Sequence, residues 1–162
     1  MTSQPMTKPT FTYVTYIKST PEQVWDALTN PEFTRQYWDV EMQSDWKVGS
    51  PWSAKGSPMS GKILESNPPH RLVYTWMMPD DPTDVSRVSF DIETIGDIAD
   101  MVCLKVLHDE LRADTDMASK ISDGWPRVLS SLKTLLETGA PMNSWAGIKR
   151  SCAGVSACEE VA

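Results

Sequence analysis

The residues best able to bind a metal or act as nucleophiles are two histidines and three cysteines. His70 and His108 have no second His, Cys or carboxylate at a metal-ligand spacing. Cys103 falls within a predicted strand, whereas Cys152 and Cys158 lie six residues apart in a polar C-terminal segment, where we expect free thiols rather than a disulfide. The motifs Gly-x-Ser-x-Gly, His-Glu-x-x-His and Cys-x-x-Cys are absent. The sequence therefore predicts no metal and no cofactor, and it identifies no catalytic residue.

His108 is a candidate for contact with a ligand. Period-2 alternation over residues 101–108 places it on the same strand face as Leu104 and Val106. It is either a strand-end histidine bonded to a carbonyl or water, or a ligand-binding or proton-transfer group at the mouth of an interior cavity. A dyad of His108 with Asp109 is excluded, because adjacent strand residues face opposite ways.

Glu65 is a second candidate for acid–base chemistry. Strict alternation places it on the strand face of Gly61 and Ile63, but composition does not show whether that face is interior. If it is, burial of the carboxylate requires a partner such as Arg71 or Arg87. We expect a structural ion pair, with a catalytic carboxylate as the alternative.

The N-terminal third predicts one strand and two short helices that position these groups. Residues 11–18 are β-branched and aromatic with period-2 alternation, which indicates a strand. Thr20 and Asn30 are each followed by proline, and this pattern is typical of a helix N-cap and first residue. Gln23 is the predicted capping-box partner of Thr20.

The remainder predicts a sheet followed by a long helix. Between residues 40 and 108, apolar alternation is broken by Gly, Pro and Asn clusters, which indicates six short antiparallel strands. Helical periodicity then runs from Met117 to a stop at Gly139. Pro126 predicts either a kink or a helix that begins near Asp123.

This order, β-α-α-β6-α, predicts an α+β layout in which a curved antiparallel sheet wraps around the C-terminal helix. We expect one domain over residues 11–139, because 162 residues leave no room for a second. Residues 1–10 are expected to be flexible, and residues 140–162, which lack periodicity, to be poorly ordered.

Several segments carry a resemblance to a known family. In order and at family-like spacing they are residues 19–32, 45–51, 61–65, 68–76 and 124–125. Together they resemble the START-like, or SRPBCC, superfamily, and within it the branch related to the C-terminal domain of the activator of heat-shock protein 90 ATPase. The resemblance implies a helix-grip fold with a hydrophobic pocket between sheet and terminal helix, used across the superfamily for lipids, sterols, polyketides and other apolar ligands.

Aromatic residues are the predicted lining of such a pocket. The chain has seven Trp and nine Met, and large flat rings with adaptable thioethers suit an apolar or aromatic guest as well as they suit a plain core. The predicted ligand-binding residues are Trp38, Trp52, Tyr74, Trp76, Phe90, Leu104, His108, Trp125 and Leu129.

The leading hypothesis is binding of a small apolar or amphipathic molecule. The alternatives are a co-chaperone or stress-response module that contacts a chaperone through a sheet face, and an aromatase/cyclase-like enzyme. A net charge of -7 argues against nucleic acid as a partner. No apolar run is long enough for a membrane span, and the N-terminus has no signal-peptide pattern, so we expect cytoplasmic residence.

Overall fold

The structure is a computed structural model that describes residues 8–142. Its elements in chain order are β1 (Phe11–Ile17), α1 (Pro21–Thr29), α2 (Pro31–Trp38), β2 (Glu41–Ser44), β3 (Pro51–Lys55), β4 (Ser60–Asn67), β5 (Arg71–Met78), β6 (Asp81–Thr94), β7 (Val102–Asp109) and α3 (Met117–Thr138). The observed order of elements confirms the predicted α+β helix-grip class.

The seven strands form one antiparallel sheet in the order β1-β7-β6-β5-β4-β3-β2. Consecutive strands from β2 to β7 are neighbours, as short connections favour. β1 closes the other edge by pairing with β7, from Phe11 opposite His108 to Ile17 opposite Val102. The two short helices that follow β1 therefore carry the chain from one edge of the sheet to the other.

The caps predicted for α1 and α2 are present. The Thr20 hydroxyl accepts a hydrogen bond from the backbone N–H of Gln23 (3.3 Å), and the Asn30 side chain accepts one from the N–H of Glu32 (3.0 Å). The Gln23 side chain does not complete the predicted capping box. Its Oε1 instead accepts a hydrogen bond from the Ser19 hydroxyl (2.8 Å). Both caps satisfy backbone donors that the first helical turn leaves unpaired.

α3 begins at Met117, so the proline in its interior does not mark its start. It ends where Gly139 adopts the left-handed conformation (φ 85°) and donates its N–H to the Leu135 carbonyl (2.8 Å). Lys133 Nζ donates to the Tyr16 carbonyl (2.8 Å), which fixes the C-terminal half of α3 against β1.

A β-bulge decides which way Glu65 points. β4 pairs with β5 through Ile63 opposite Tyr74 and then Glu65 opposite Val73, so Leu64 is the extra residue. Strict alternation is broken between Ile63, which is buried, and Glu65, which is exposed. The placement of both residues on one face is therefore wrong, and Glu65 belongs to the outer face of the sheet.

The interior face of the sheet and one side of α3 enclose the core. Along β7 the buried residues alternate as predicted, at Val102, Leu104, Val106 and His108. Cys152 and Cys158 lie outside the described residues. Within residues 8–142, no helix is long and apolar enough to cross a membrane.

Candidate functional site

The nine predicted ligand-binding residues all lie in the interior, between the sheet and α3. The least buried are Trp38 and Trp76, which are 9% and 8% exposed, and the other seven are more deeply buried. The eight hydrophobic members belong to one continuous core cluster. His108 joins them through ring contacts with Trp76 and Trp125.

Seven of these residues carry rings that contact one another, and we call them the aromatic cluster: Trp38, Trp52, Tyr74, Trp76, Phe90, His108 and Trp125. Trp76 on β5 is at its centre. Its ring stacks on Trp38 with centroids 6.0 Å apart, and it meets Trp52 at 5.7 Å and Trp125 at 6.0 Å. These separations are those of rings in direct contact, so side chains fill the space between the centre of the sheet and α3.

His108 is held by hydrogen bonds on both sides of its ring. Trp125 Nε1 donates to His108 Nδ1 (3.0 Å), so this nitrogen carries no proton and the proton is on Nε2. Nε2 then donates to the Ser86 hydroxyl (2.7 Å), and Ser86 Oγ donates to the Trp76 carbonyl (3.4 Å). Burial lowers the pKa of His108 to about 4, so the imidazole is neutral at pH 7.

The indole N–H of Trp76 has no such partner. Trp52 Nε1 donates to the Thr75 carbonyl (2.8 Å) and Trp125 Nε1 to His108. Trp76 Nε1 is buried and finds no acceptor among residues 8–142. Because nearly all buried polar groups in folded proteins are hydrogen-bonded, this donor marks a place where an acceptor is missing.

A second buried polar atom without a partner is Asp84 Oδ1, and sequence reasoning missed it. Asp84 precedes Ser86 on the interior face of β6, and the residue is 9% exposed. Burial raises the pKa of its carboxyl, and Arg112 partly opposes this effect. The signal in the sequence was the alternation of Val88 and Phe90, which continues back through Ser86 to Asp84.

The outer face of the sheet is charged instead. Arg71 donates to Glu65 (2.8 Å) and to Asp91 (2.7 Å), which confirms the expected ion pair of Glu65 and places it away from the core. Arg87 makes two hydrogen bonds to Asp109 and lowers the pKa of that carboxyl. Asp109 thus faces away from His108, which agrees with the exclusion of a His108–Asp109 dyad.

The model of the Activator of Hsp90 ATPase homolog 1-like protein family, AHSA1, matches residues 18–137. The chain belongs to this family. The match spans α1, α2, all of α3 except its last residue, and six of the seven strands, and it includes every residue of the aromatic cluster. No curated protein matches the chain.

Solved structures share the fold of this AHSA1 family member. CalU16 from Micromonospora echinospora is 24% identical, with a TM-score of 0.69 over 83% of this chain and 78% of that one. The Aha1 dimer from Colwellia psychrerythraea is 22% identical, with a TM-score of 0.67 over 81% and 98%. PFC0360w, an HSP90 activator from Plasmodium falciparum, is 24% identical, with a TM-score of 0.58 over 84% and 92%. Such identities establish the fold alone.

An open surface cleft of about 410 Å³ lies elsewhere on this AHSA1 domain. It is lined by residues 19–21 and by Thr94 and residues 96–101 in the connection from β6 to β7. None of the nine predicted residues borders it. In the described part of the chain, no group of three or more His, Cys, Asp or Glu residues is arranged to hold a metal ion.

Proposed function

We propose that this AHSA1 domain binds a small, mostly aromatic molecule within the aromatic cluster, between the sheet and α3. The observation that carries the proposal is the buried indole N–H of Trp76, which lacks an acceptor. Leaving such a donor unpaired costs about 1–3 kcal/mol. A ligand with an oxygen or nitrogen acceptor would recover that cost, and stacking on the neighbouring rings would supply the apolar part of its affinity.

The cluster itself determines how a guest could be accommodated. Trp38 and Trp76 are stacked and Trp125 crosses both rings, so a flat molecule would enter by separating rings and would bury its two faces against them. Removal of apolar area from water contributes about 25 cal/mol per Å². Glu65 takes no part in orienting the guest, because it is paired with Arg71 on the outer face.

Native mass spectrometry of gently purified protein, followed by identification of any released molecule, tests this proposal directly. Tryptophan fluorescence then measures rebinding. We expect Trp76→Phe to weaken binding, since it removes the N–H and retains an aromatic ring. Trp46→Phe is the matched control, because Trp46 packs at the edge of the core and is outside the aromatic cluster. Unchanged affinity in both Trp76→Ala and Trp125→Ala would show that the site is elsewhere.

A co-chaperone role is the second candidate, supported by the family description and by the solved HSP90 activator. The outer face of β1 presents Val14 and Tyr16, which are 45% and 54% exposed and could contact a chaperone. Stimulation of a purified Hsp90 ATPase that is lost in Val14→Ser/Tyr16→Ser and retained in Trp76→Phe would support this role over ligand binding.

The aromatase/cyclase-like alternative has less support. It requires an interior acid or base that is free to reach a substrate. His108 is interior, but Trp125 and Ser86 occupy both of its ring nitrogens. We propose that the protein acts in the cytoplasm, where the sequence predicts it to reside.

A further inference from the structure

Asp84 and Trp76 present complementary unpaired groups at one end of the interior face. Trp76 Nε1 is a donor without an acceptor, and Asp84 Oδ1 is an acceptor without a donor. Both residues are more than nine-tenths buried. Trp76 Nε1 and Asp84 Oδ1 are the two buried side-chain nitrogen or oxygen atoms within residues 8–142 that lack a hydrogen-bond partner.

The strand register places the two residues near each other. β5 and β6 are antiparallel neighbours, with Trp76 directly opposite Ser86. Asp84 is the next buried residue along β6, two positions before Ser86, where the register with β5 shifts between the Met77–Val85 and Met78–Asp81 pairs. Two residues along a strand span about 7 Å and neighbouring strands lie about 5 Å apart, so the side chains of Asp84 and Trp76 can both reach one group placed between them. One oxygen atom bonded to both groups would bridge such a pair, because each hydrogen bond spans about 2.7–3.0 Å.

The polar groups around the pair are already engaged. Ser86 and His108 are bonded to each other, and Arg112 forms ion pairs with Asp81 (2.9 Å) and Asp114 (2.6 Å). The acidic residues near Asp84 disfavour a carboxylate or phosphate at this position. A neutral group that both accepts and donates is the best complement.

We propose that Trp76 and Asp84 form a two-point polar subsite that selects ligands with a hydroxyl group on an aromatic frame. The hydroxyl oxygen accepts from Trp76 Nε1, and its proton is donated to Asp84 Oδ1. An ether or ketone of the same shape satisfies Trp76 alone. This inference rests on the proposed function, since it names the ligand class that the aromatic cluster would accept.

A pair of probes that differ only in the hydroxyl proton tests the subsite: 2-naphthol and 2-methoxynaphthalene, titrated by calorimetry into the full chain. We expect wild-type protein to bind 2-naphthol about tenfold more tightly, which corresponds to one well-made buried hydrogen bond. Asp84→Ala should abolish this preference and leave the affinity for 2-methoxynaphthalene unchanged. Trp76→Phe should weaken both probes, because both carry an acceptor oxygen.

Stability measurements separate this role from a structural one. Asp84 makes no ion pair among the described residues, so Asp84→Ala should unfold at the same temperature as wild type or at a higher one. Asp80→Ala, an exposed acidic neighbour, is the matched control and should alter neither selectivity nor stability. The wild-type probe ratio is informative even if a variant does not fold.

Each outcome has a defined meaning. Equal affinity of wild type for both probes, or a preference that survives in Asp84→Ala, overturns the subsite and leaves the proposed function standing. If wild-type protein binds neither probe, the hydroxyl-selective subsite is overturned, and the native mass spectrometry described above decides the proposed function separately.

Discussion

His108 should make the stability of the fold depend on pH in a way that a single substitution can isolate. The pKa of His108 is about 4 in the folded chain, below the ordinary value of 6.5 that applies when the chain unfolds. Between these values the unfolded state binds more protons than the native state, so the free energy of unfolding falls as pH falls from about 6.5 towards 4. The contribution of the neutral imidazole to the free energy of unfolding is therefore fully present at pH 7.

The size of the effect follows from the two pKa values. At pH 4.5 the unfolded histidine is almost fully protonated and the folded one only partly, and the linkage relation gives a loss of about 2 kcal/mol relative to pH 7. We expect this loss in wild type and not in His108→Gln, because glutamine also pairs through a donor and an acceptor but does not titrate.

Urea unfolding at pH 7.0 and at pH 4.5 measures the difference. Carboxylates whose pKa values are lowered by partners other than His108, such as Asp114 and Glu137, also reduce stability in acid, and they are present in wild type and in the variant alike. Only the difference between the two pH dependences reports on His108. If wild type and His108→Gln lose the same free energy between the two pH values, His108 is not buried as a neutral group and the assigned hydrogen bonds are incorrect.

Three further substitutions test the packing and the charges. Gly61→Ala should cost about 3 kcal/mol in urea unfolding, because its Cβ would lie 2.5 Å from Trp52 Nε1 and would overlap the Thr75 carbonyl. Gly124→Ala, whose Cβ meets nothing within 4 Å, should instead stabilise α3 by about 0.8 kcal/mol. Arg87→Met should raise the pKa of Asp109 towards its usual value in a carboxyl NMR titration, since the lowering comes mainly from the Arg87 hydrogen bonds.

The elements of the fold could be predicted from the sequence because each is specified locally. Thr20 and Asn30 cap their helices through bonds that reach only two or three residues along the chain. The alternation of β7 separates interior from exterior without reference to any other strand. Where local pattern and tertiary structure agree in this way, sequence reasoning is reliable.

Glu65 shows where such reasoning fails. The extra residue Leu64 in β4 is visible only in the pairing with β5, where Ile63 and Glu65 oppose Tyr74 and Val73. Alternation counts residues and cannot detect that two of them face one partner.

The partners of His108 were hidden for a different reason. Ser86 lies 22 residues away and Trp125 lies 17 residues away, on separate elements. Their meeting depends on the register between β6 and β7 and on the rotation of α3. The sequence therefore placed His108 on the strand face of Leu104 and Val106 but left open its partners and its chemistry.

Rings already fill the interior, so a ligand can bind there only if part of the fold moves to make room for it. Trp125 closes the cluster over His108 and immediately precedes Pro126, whose missing N–H leaves the Ser122 carbonyl without its helical donor. The C-terminal half of α3 is fixed to β1 through Lys133, whereas the turns before Pro126 lack that bond. Displacement of Trp125 would break one hydrogen bond to a histidine that burial keeps neutral, so opening would expose no buried ion. The weakest point of α3 thus adjoins the ring that the proposed ligand would have to move.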